Sequence, residues 1–161
     1  MRHWSTLAAV LLCLGVVGCD HTTKQLAVTH LSGQGPVPVV PGVLDLRYAE
    51  NTDTAFSLLG NHIGTEPRVL MLSLLGALVT LGLLGYAALR WRAFNLGERV
   101  AMGLLLAGAV GNLGERMVRG HVVDFLHVRH WPVFNVADIA VVAGALLFAF
   151  AARRRARYSA V

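Results

Sequence analysis

A chain of 161 residues that is 55% hydrophobic and only 14% charged is too apolar for an ordinary soluble domain, in which about a quarter of the residues carry charge. The formal charge of +5 does not indicate nucleic acid, because 13 of the 14 basic residues are arginines at the edges of apolar runs, where they act as topology determinants. No Asp, Glu, Lys or Arg lies between Arg2 and Asp20, between Arg68 and Arg90, or between Arg99 and Glu115, so the chain is a single integral-membrane domain.

A bilayer core takes about 20 apolar residues per helix, and four stretches meet that length or come near it: 4–20, 69–89, 96–114 and 133–152. In the first, Cys13 and Cys19 are separated by about 9 Å of helical rise and lie on different faces, too far apart for a disulfide. Val16-Val17-Gly18-Cys19 resembles a lipoprotein cleavage box, yet the residues that follow it favour a retained helix. Segment 20–68 is the only one long enough to carry structure outside the bilayer. Its Gly- and Pro-rich middle, 33–42, predicts turns, residues 43–48 alternate and predict a short strand, and 51–59 predicts a short interfacial helix. Span two carries Gly76, Gly82 and Gly85, and span three Gly103, Gly108, Gly111 and Gly114, so close helix contact is expected of both. A second external segment, 115–132, leads to span four. No internal repeat or low-complexity tract is present.

Orientation follows the arginines. Arg2, then Arg90, Arg92 and Arg99, then Arg153, Arg154, Arg155 and Arg157 flank the spans on one side. Both termini are therefore expected in the cytoplasm, with the Arg-rich tail as an anchor and segments 20–68 and 115–132 on the opposite side.

Against this frame a few polar residues stand out. A carboxylate at membrane depth costs roughly 2.5 to 3.5 kcal/mol on insertion scales and is a functional hypothesis by default. Asp138, in Phe134-Asn135-Val136-Ala137-Asp138, lies near the start of span four, and Asp124 sits in the apolar run Val122-Val123-Asp124-Phe125-Leu126; both fall near the same membrane face. Two carboxylates in one low-dielectric site share a proton. The ionised one can take a proton from water while the other polarises a peptide carbonyl and later protonates the amine, without metal or cofactor. The structural alternative is that each Asp caps a helix or pairs with Arg116, Arg119 or Arg129. Asn112 and Asn135 are placed to reach either carboxylate or a substrate backbone, or simply a neighbouring helix. Asp20 and Lys24, four apart, share a helix face.

These motifs, in this order, resemble the bacterial lipoprotein signal peptidases, the signal peptidase II family, over nearly the whole chain. The matching strings are Asp20-His21-Thr22-Thr23-Lys24, Asn51-Thr52-Asp53-Thr54-Ala55-Phe56-Ser57, Gly111-Asn112-Leu113-Gly114-Glu115-Arg116, Val122-Val123-Asp124-Phe125 and Phe134-Asn135-Val136-Ala137-Asp138. The resemblance implies four transmembrane helices with a small extracytoplasmic β-rich platform and a lid-like interfacial helix. It implies that Asp124 and Asp138 are the catalytic dyad of an aspartic endopeptidase of the bacterial inner membrane. The substrate it implies is a diacylglyceryl-modified prolipoprotein, cut on the amino side of the lipidated cysteine, with globomycin-type cyclic peptides as inhibitors and membrane lipid as a partner. Asn51, Asn112, Arg116, Asn135, Asp20, Lys24 and Phe56 take substrate-binding or supporting roles: Asn51 and Phe56 line the lid, Asp20 and Lys24 tether span one to the platform, and Arg116 fixes the external link or meets substrate carbonyls. Two positions depart from the family pattern, Asp53 where Gly is usual and Glu115 where Asp is commoner. They leave room for a non-catalytic paralogue that binds lipoproteins. A proton or ion carrier relaying through Asp138 would need a polar residue deep in another span, and the centres of spans one to three have none.

Overall fold

The computed structural model of the chain describes residues 2–52 and 64–159. Its elements, in order, are α1 (Arg2–Leu31), β1 (Val37–Val40), β2 (Leu44–Asn51), α2 (Thr65–Arg90), a 3-10 turn at Trp91–Ala93, α3 (Leu96–Arg119), β3 (Val122–Val128) and α4 (Val136–Ser159). Among the described residues, four helical stretches are long and apolar enough to cross a membrane: Trp4–Leu31, Glu66–Ala93, Leu96–Arg119 and Val136–Arg155.

Helix α3 is central and packs against α1, α2 and α4. Its glycines permit this: a Cβ on Gly108 would overlap the Ala137 carbonyl oxygen of α4, and one on Gly103 would lie 3.1 Å from the Ala9 carbonyl oxygen of α1. The same expectation holds only in part for α2: a Cβ on Gly76 would lie 3.5 Å from Leu113 of α3, whereas Gly82 and Gly85 face open space. Apolar side chains such as Leu70, Leu74, Leu78 and Leu81 are well exposed along α2, as a lipid-facing helix requires.

Helix α1 does not stop near residue 20; it runs on to Leu31. The 28 membrane-compatible residues of α1 are about 42 Å long at 1.5 Å per residue, more than the roughly 30 Å of a hydrocarbon core. The surplus turns support a sheet of order β1-β2-β3, antiparallel throughout. Ala27 and Leu31 of α1 pack there with Val123 and Phe125 of β3. The predicted strand at 43–48 corresponds to β2. The turns predicted over 33–42 are present at Gly33 and Gly42, both with positive φ, but they enclose a strand, β1, whose Pro38 is tolerated because it lies on the sheet edge. Asn51 ends β2 and does not open an interfacial helix; residues 53–59 of that predicted helix, with Asp53 and the expected lid residue Phe56, fall outside the described residues.

At the far end of the bundle, Arg99 donates to the Ser5 hydroxyl and lies 5.6 Å over the Trp91 ring. Trp91 Nε1 donates to Thr6 at 3.0 Å. Asn95 and Glu98 form a reciprocal capping box at the start of α3. Cys13 and Cys19 are free thiols.

Candidate active site

The position of Asp124 is set by β3 and a fold-back behind it. Between Leu46↔Leu126 and Ala49↔Asp124 the β2–β3 register shifts, with one extra residue on β2, a bulge that re-aims neighbouring side chains. After β3 the chain reverses through His130, at φ 66, and Trp131 N–H donates to the Val128 carbonyl at 2.9 Å. Phe134 then bonds back to β3, donating to the Leu126 carbonyl at 2.9 Å and accepting from Leu126 N–H at 2.8 Å. That return sets Asn135 beside Asp124 at the very point where α4 begins.

Asn135 is fully buried and touches both carboxylates. Its Nδ2 donates to Asp124 Oδ1 at 2.6 Å. Its Oδ1 accepts from Asp138 N–H at 3.0 Å, and its own N–H donates to Asp138 Oδ2 at 3.2 Å. The latter two bonds are a capping box with Asp in the third helical position. Asp138 thus caps a helix and faces the site at once, and the two readings open in the sequence do not exclude each other. It sits in the first turn of α4, which starts at Val136 rather than about residue 133.

The other oxygens are also claimed. Asn51 Nδ2, from the end of β2, donates to Asp124 Oδ2 at 2.8 Å. Asn112 Nδ2, from α3, donates to Asp138 Oδ1 at 2.8 Å. The orientation of the Asn112 amide is forced, because its Oδ1 accepts from Lys24 Nζ at 2.9 Å and an ammonium only donates. Asn135 Nδ2 supplies a further bond to that same oxygen at 3.1 Å.

Beneath these amides lies an ion cluster. Lys24, 1% exposed, spends all three protons: on Asn112, on Asp20 Oδ2 at 2.8 Å and on Glu115 Oε2 at 3.1 Å. Asp20 Oδ1 accepts from Ala137 N–H at 2.8 Å, satisfying a donor in the first turn of α4 that the helix itself leaves open. Asp20 and Lys24 therefore tie α1 to α3 and α4, not to the sheet as the sequence suggested. Glu115, absent from the candidate residues, accepts from Val123 N–H at 3.2 Å, next to Asp124, and pairs with Arg119 at 3.6 Å. The signal was its spacing: three residues beyond Asn112, it shares the helix face that meets Lys24. Gly111 is required by the same packing, since a Cβ there would lie 2.9 Å from Asp20 Oδ2.

Arg116 makes none of its expected pairings through Nε, which is buried without a partner among the described residues. Its charge acts on Asp124, Asp138 and Glu115, and it lines a cleft of about 730 Å³ between α2 and the end of α3. Thr52, next to Asn51, lines the same cleft, and Val69, Leu74 and Met117 give it apolar walls.

Burial pushes the Asp124 carboxyl up to about 6. The bonds from Asn51 and Asn135 and the charge of Lys24 pull the other way, while the charge of Asp138 adds to the rise. Among the described residues no cluster of His, Cys, Asp or Glu could hold a metal ion. Fold and site together define a multi-pass membrane protein with two amide-clamped carboxylates, a pair suited to acid–base hydrolysis.

Residues 12–153 match the model of the family described as Signal peptidase (SPase) II. A lipoprotein signal peptidase of Syntrophotalea carbinolica is 40% identical over 139 residues, 84% of each chain. One from Geobacter metallireducens is 36% identical over 155 residues, 92% of this chain and 88% of the relative. A solved bacterial membrane enzyme, determined by the in meso method, superposes with a TM-score of 0.79 at 26% identity, over 91% of this chain and 88% of its own. The chain belongs to the signal peptidase II family, and with it to the peptidases.

Proposed function

We propose that this protein removes the signal peptide from diacylglyceryl-modified prolipoproteins, cutting on the amino side of the lipidated cysteine, with Asp124 and Asp138 as its catalytic pair. The observation that carries the reading is Asn135, which bonds both carboxylates: its buried side chain donates to Asp124 and its backbone N–H donates to Asp138. In this reading Asp124, whose carboxyl is raised by burial, carries the shared proton and Asp138 is the ionised base. Asp124 then donates to the scissile carbonyl oxygen while Asp138 takes a proton from water, whose oxygen bonds to the carbonyl carbon. Collapse of the tetrahedral intermediate returns a hydroxyl proton to Asp124 as the carbonyl reforms and the C–N bond breaks, and the proton held on Asp138 passes to the leaving amine.

The remaining residues support that chemistry. Asn51, Asn112 and Asn135 hold the carboxylates, Asp20 and Lys24 hold Asn112 and the start of α4, and Arg116 faces the substrate backbone from the cleft. Phe56 is assigned to the lid on family resemblance. The cleft's apolar wall suits acyl chains arriving from the bilayer, where burial contributes about 0.8 kcal/mol per methylene. Globomycin-type cyclic peptides are the expected inhibitors. The arginine distribution supports cytoplasmic termini and an active site at the extracytoplasmic face of the bacterial inner membrane. The purified protein, given one prolipoprotein with and without its diacylglyceryl group, tests the substrate claim: the lipidated form is cut and the unlipidated form is not. Equal cleavage of both would overturn lipid-dependent recognition.

A further inference from the structure

At the opposite end of the bundle, about 610 Å³ of groove opens between the start of α3 and the end of α4. Leu147, Phe150, Ala151 and Arg154 line it along one stripe of α4, at the three- and four-residue spacings that share a helix face. The stripe passes from apolar to cationic within about 10 Å of rise. Gly97 of α3 and Ala151 of α4 form its floor: a Cβ on Gly97 would lie 3.3 Å from that of Ala151, so the depth depends on two small residues. The groove is continuous with the bilayer-facing surface, since Leu146 and Phe150 are 68% and 60% exposed.

Its rim is positively charged. The Arg154 guanidinium lies over the Phe150 ring at 5.6 Å, which leaves its N–H edges available in the ring-stacked pose. Arg155 is held at the rim by Glu98, 3.5 Å away. Glu98 is buried, whereas Arg153 and Arg154 are exposed beside it, so the balance at the groove mouth is cationic.

We propose that this groove binds one anionic phospholipid, with the phosphate at Arg154 and Arg155 and an acyl chain along Leu147 and Phe150. Basic pockets between transmembrane helices recognise lipid headgroups in this way. The charge gradient along α4 matches the phosphate-to-hydrocarbon gradient of a lipid and matches neither a peptide nor a free anion. The site lies away from the carboxylate pair and does not depend on the reaction proposed there.

The full-length chain in detergent micelles, titrated with phosphatidylglycerol or with phosphatidylcholine of the same acyl chains and followed by native mass spectrometry, tests the proposal. One phosphatidylglycerol is retained per chain in preference to phosphatidylcholine. Arg154→Gln lowers that affinity about fivefold, the factor expected for one basic side chain near an anionic lipid. Arg92→Gln, which removes a charge from the same end outside the groove, leaves it unchanged, and Leu147→Trp, which fills the groove and keeps every charge, abolishes the preference. Arg154→Gln binding like the wild type would overturn the proposal, as would an equal loss in Arg92→Gln. Displacement of the lipid by glycerol 1-phosphate at equal concentration would also overturn it, because the site would then be one for phosphate alone.

Discussion

Replacing Asn135 by Ala removes three bonds: the cap to Asp138 N–H, the donor to Asp124 and the donor to Asn112. Loss of a cap costs about 1 kcal/mol, and loss of a hydrogen bond to an ionised or proton-sharing carboxylate about 1.5 to 3 kcal/mol. The side chain is fully buried, so water does not replace what is lost. The expected destabilisation is about 3 to 4 kcal/mol. If the orientation of both acids is realised in the transition state, kcat/KM falls by about 10²- to 10³-fold at one decade per 1.4 kcal/mol. Asn135→Ser separates the two contributions, because Ser caps a helix about as well as Asn but is too short to reach Asp124. Unfolding in detergent and cleavage kinetics are measured on both variants. Ser recovers about 1 kcal/mol of stability over Ala and recovers little activity. Wild-type activity in Asn135→Ser would refute the reasoning, for Asn135 would then be a cap and nothing more.

The raised Asp124 carboxyl also has a stability signature. Its folded value of about 6 exceeds the unfolded value of about 4, so the stabilisation is complete below about pH 4 and is lost as pH rises through about 6. The change amounts to about 3 kcal/mol and should vanish from the unfolding profile of Asp124→Asn; the same titration lowers the wild-type kcat/KM above about pH 6. Lys24→Met leaves Asp20 and Glu115 buried without their shared cation and should cost about 3 to 5 kcal/mol, read as loss of folded protein on size-exclusion chromatography. Gly108→Ala drives a methyl into the Ala137 carbonyl oxygen and should lower the unfolding midpoint more than Gly111→Ala, whose contact is a side-chain oxygen.

The four spans were legible because lipid exposure requires uninterrupted apolar surface, and the candidate residues were legible because few polar side chains break those runs. Helix α1 was read too short for the same reason inverted. Asp20 and Lys24 look like the edge of the membrane, whereas they point inward to α3 and α4 and satisfy one another. Strand β3 was seen only as an apolar link, since Val122, Val123, Asp124 and Phe125 are all buried and the strand lacks the alternation that a half-exposed sheet displays. The double duty of Asp138 as cap and site carboxylate needed the fold-back of Phe134 onto β3, a long-range pairing that no local spacing encodes. Glu115 stood in view beside Arg116, but its bond to the backbone of Val123 depends on how α3 meets the sheet.

The most direct test of the central claim is cleavage of a diacylglyceryl-modified prolipoprotein, followed by gel shift, by the wild type, Asp124→Asn and Asp138→Asn in lipid. The wild type releases the signal peptide and each variant, folded and inserted, releases none. Full cleavage by either variant would contradict the assignment of the two carboxylates.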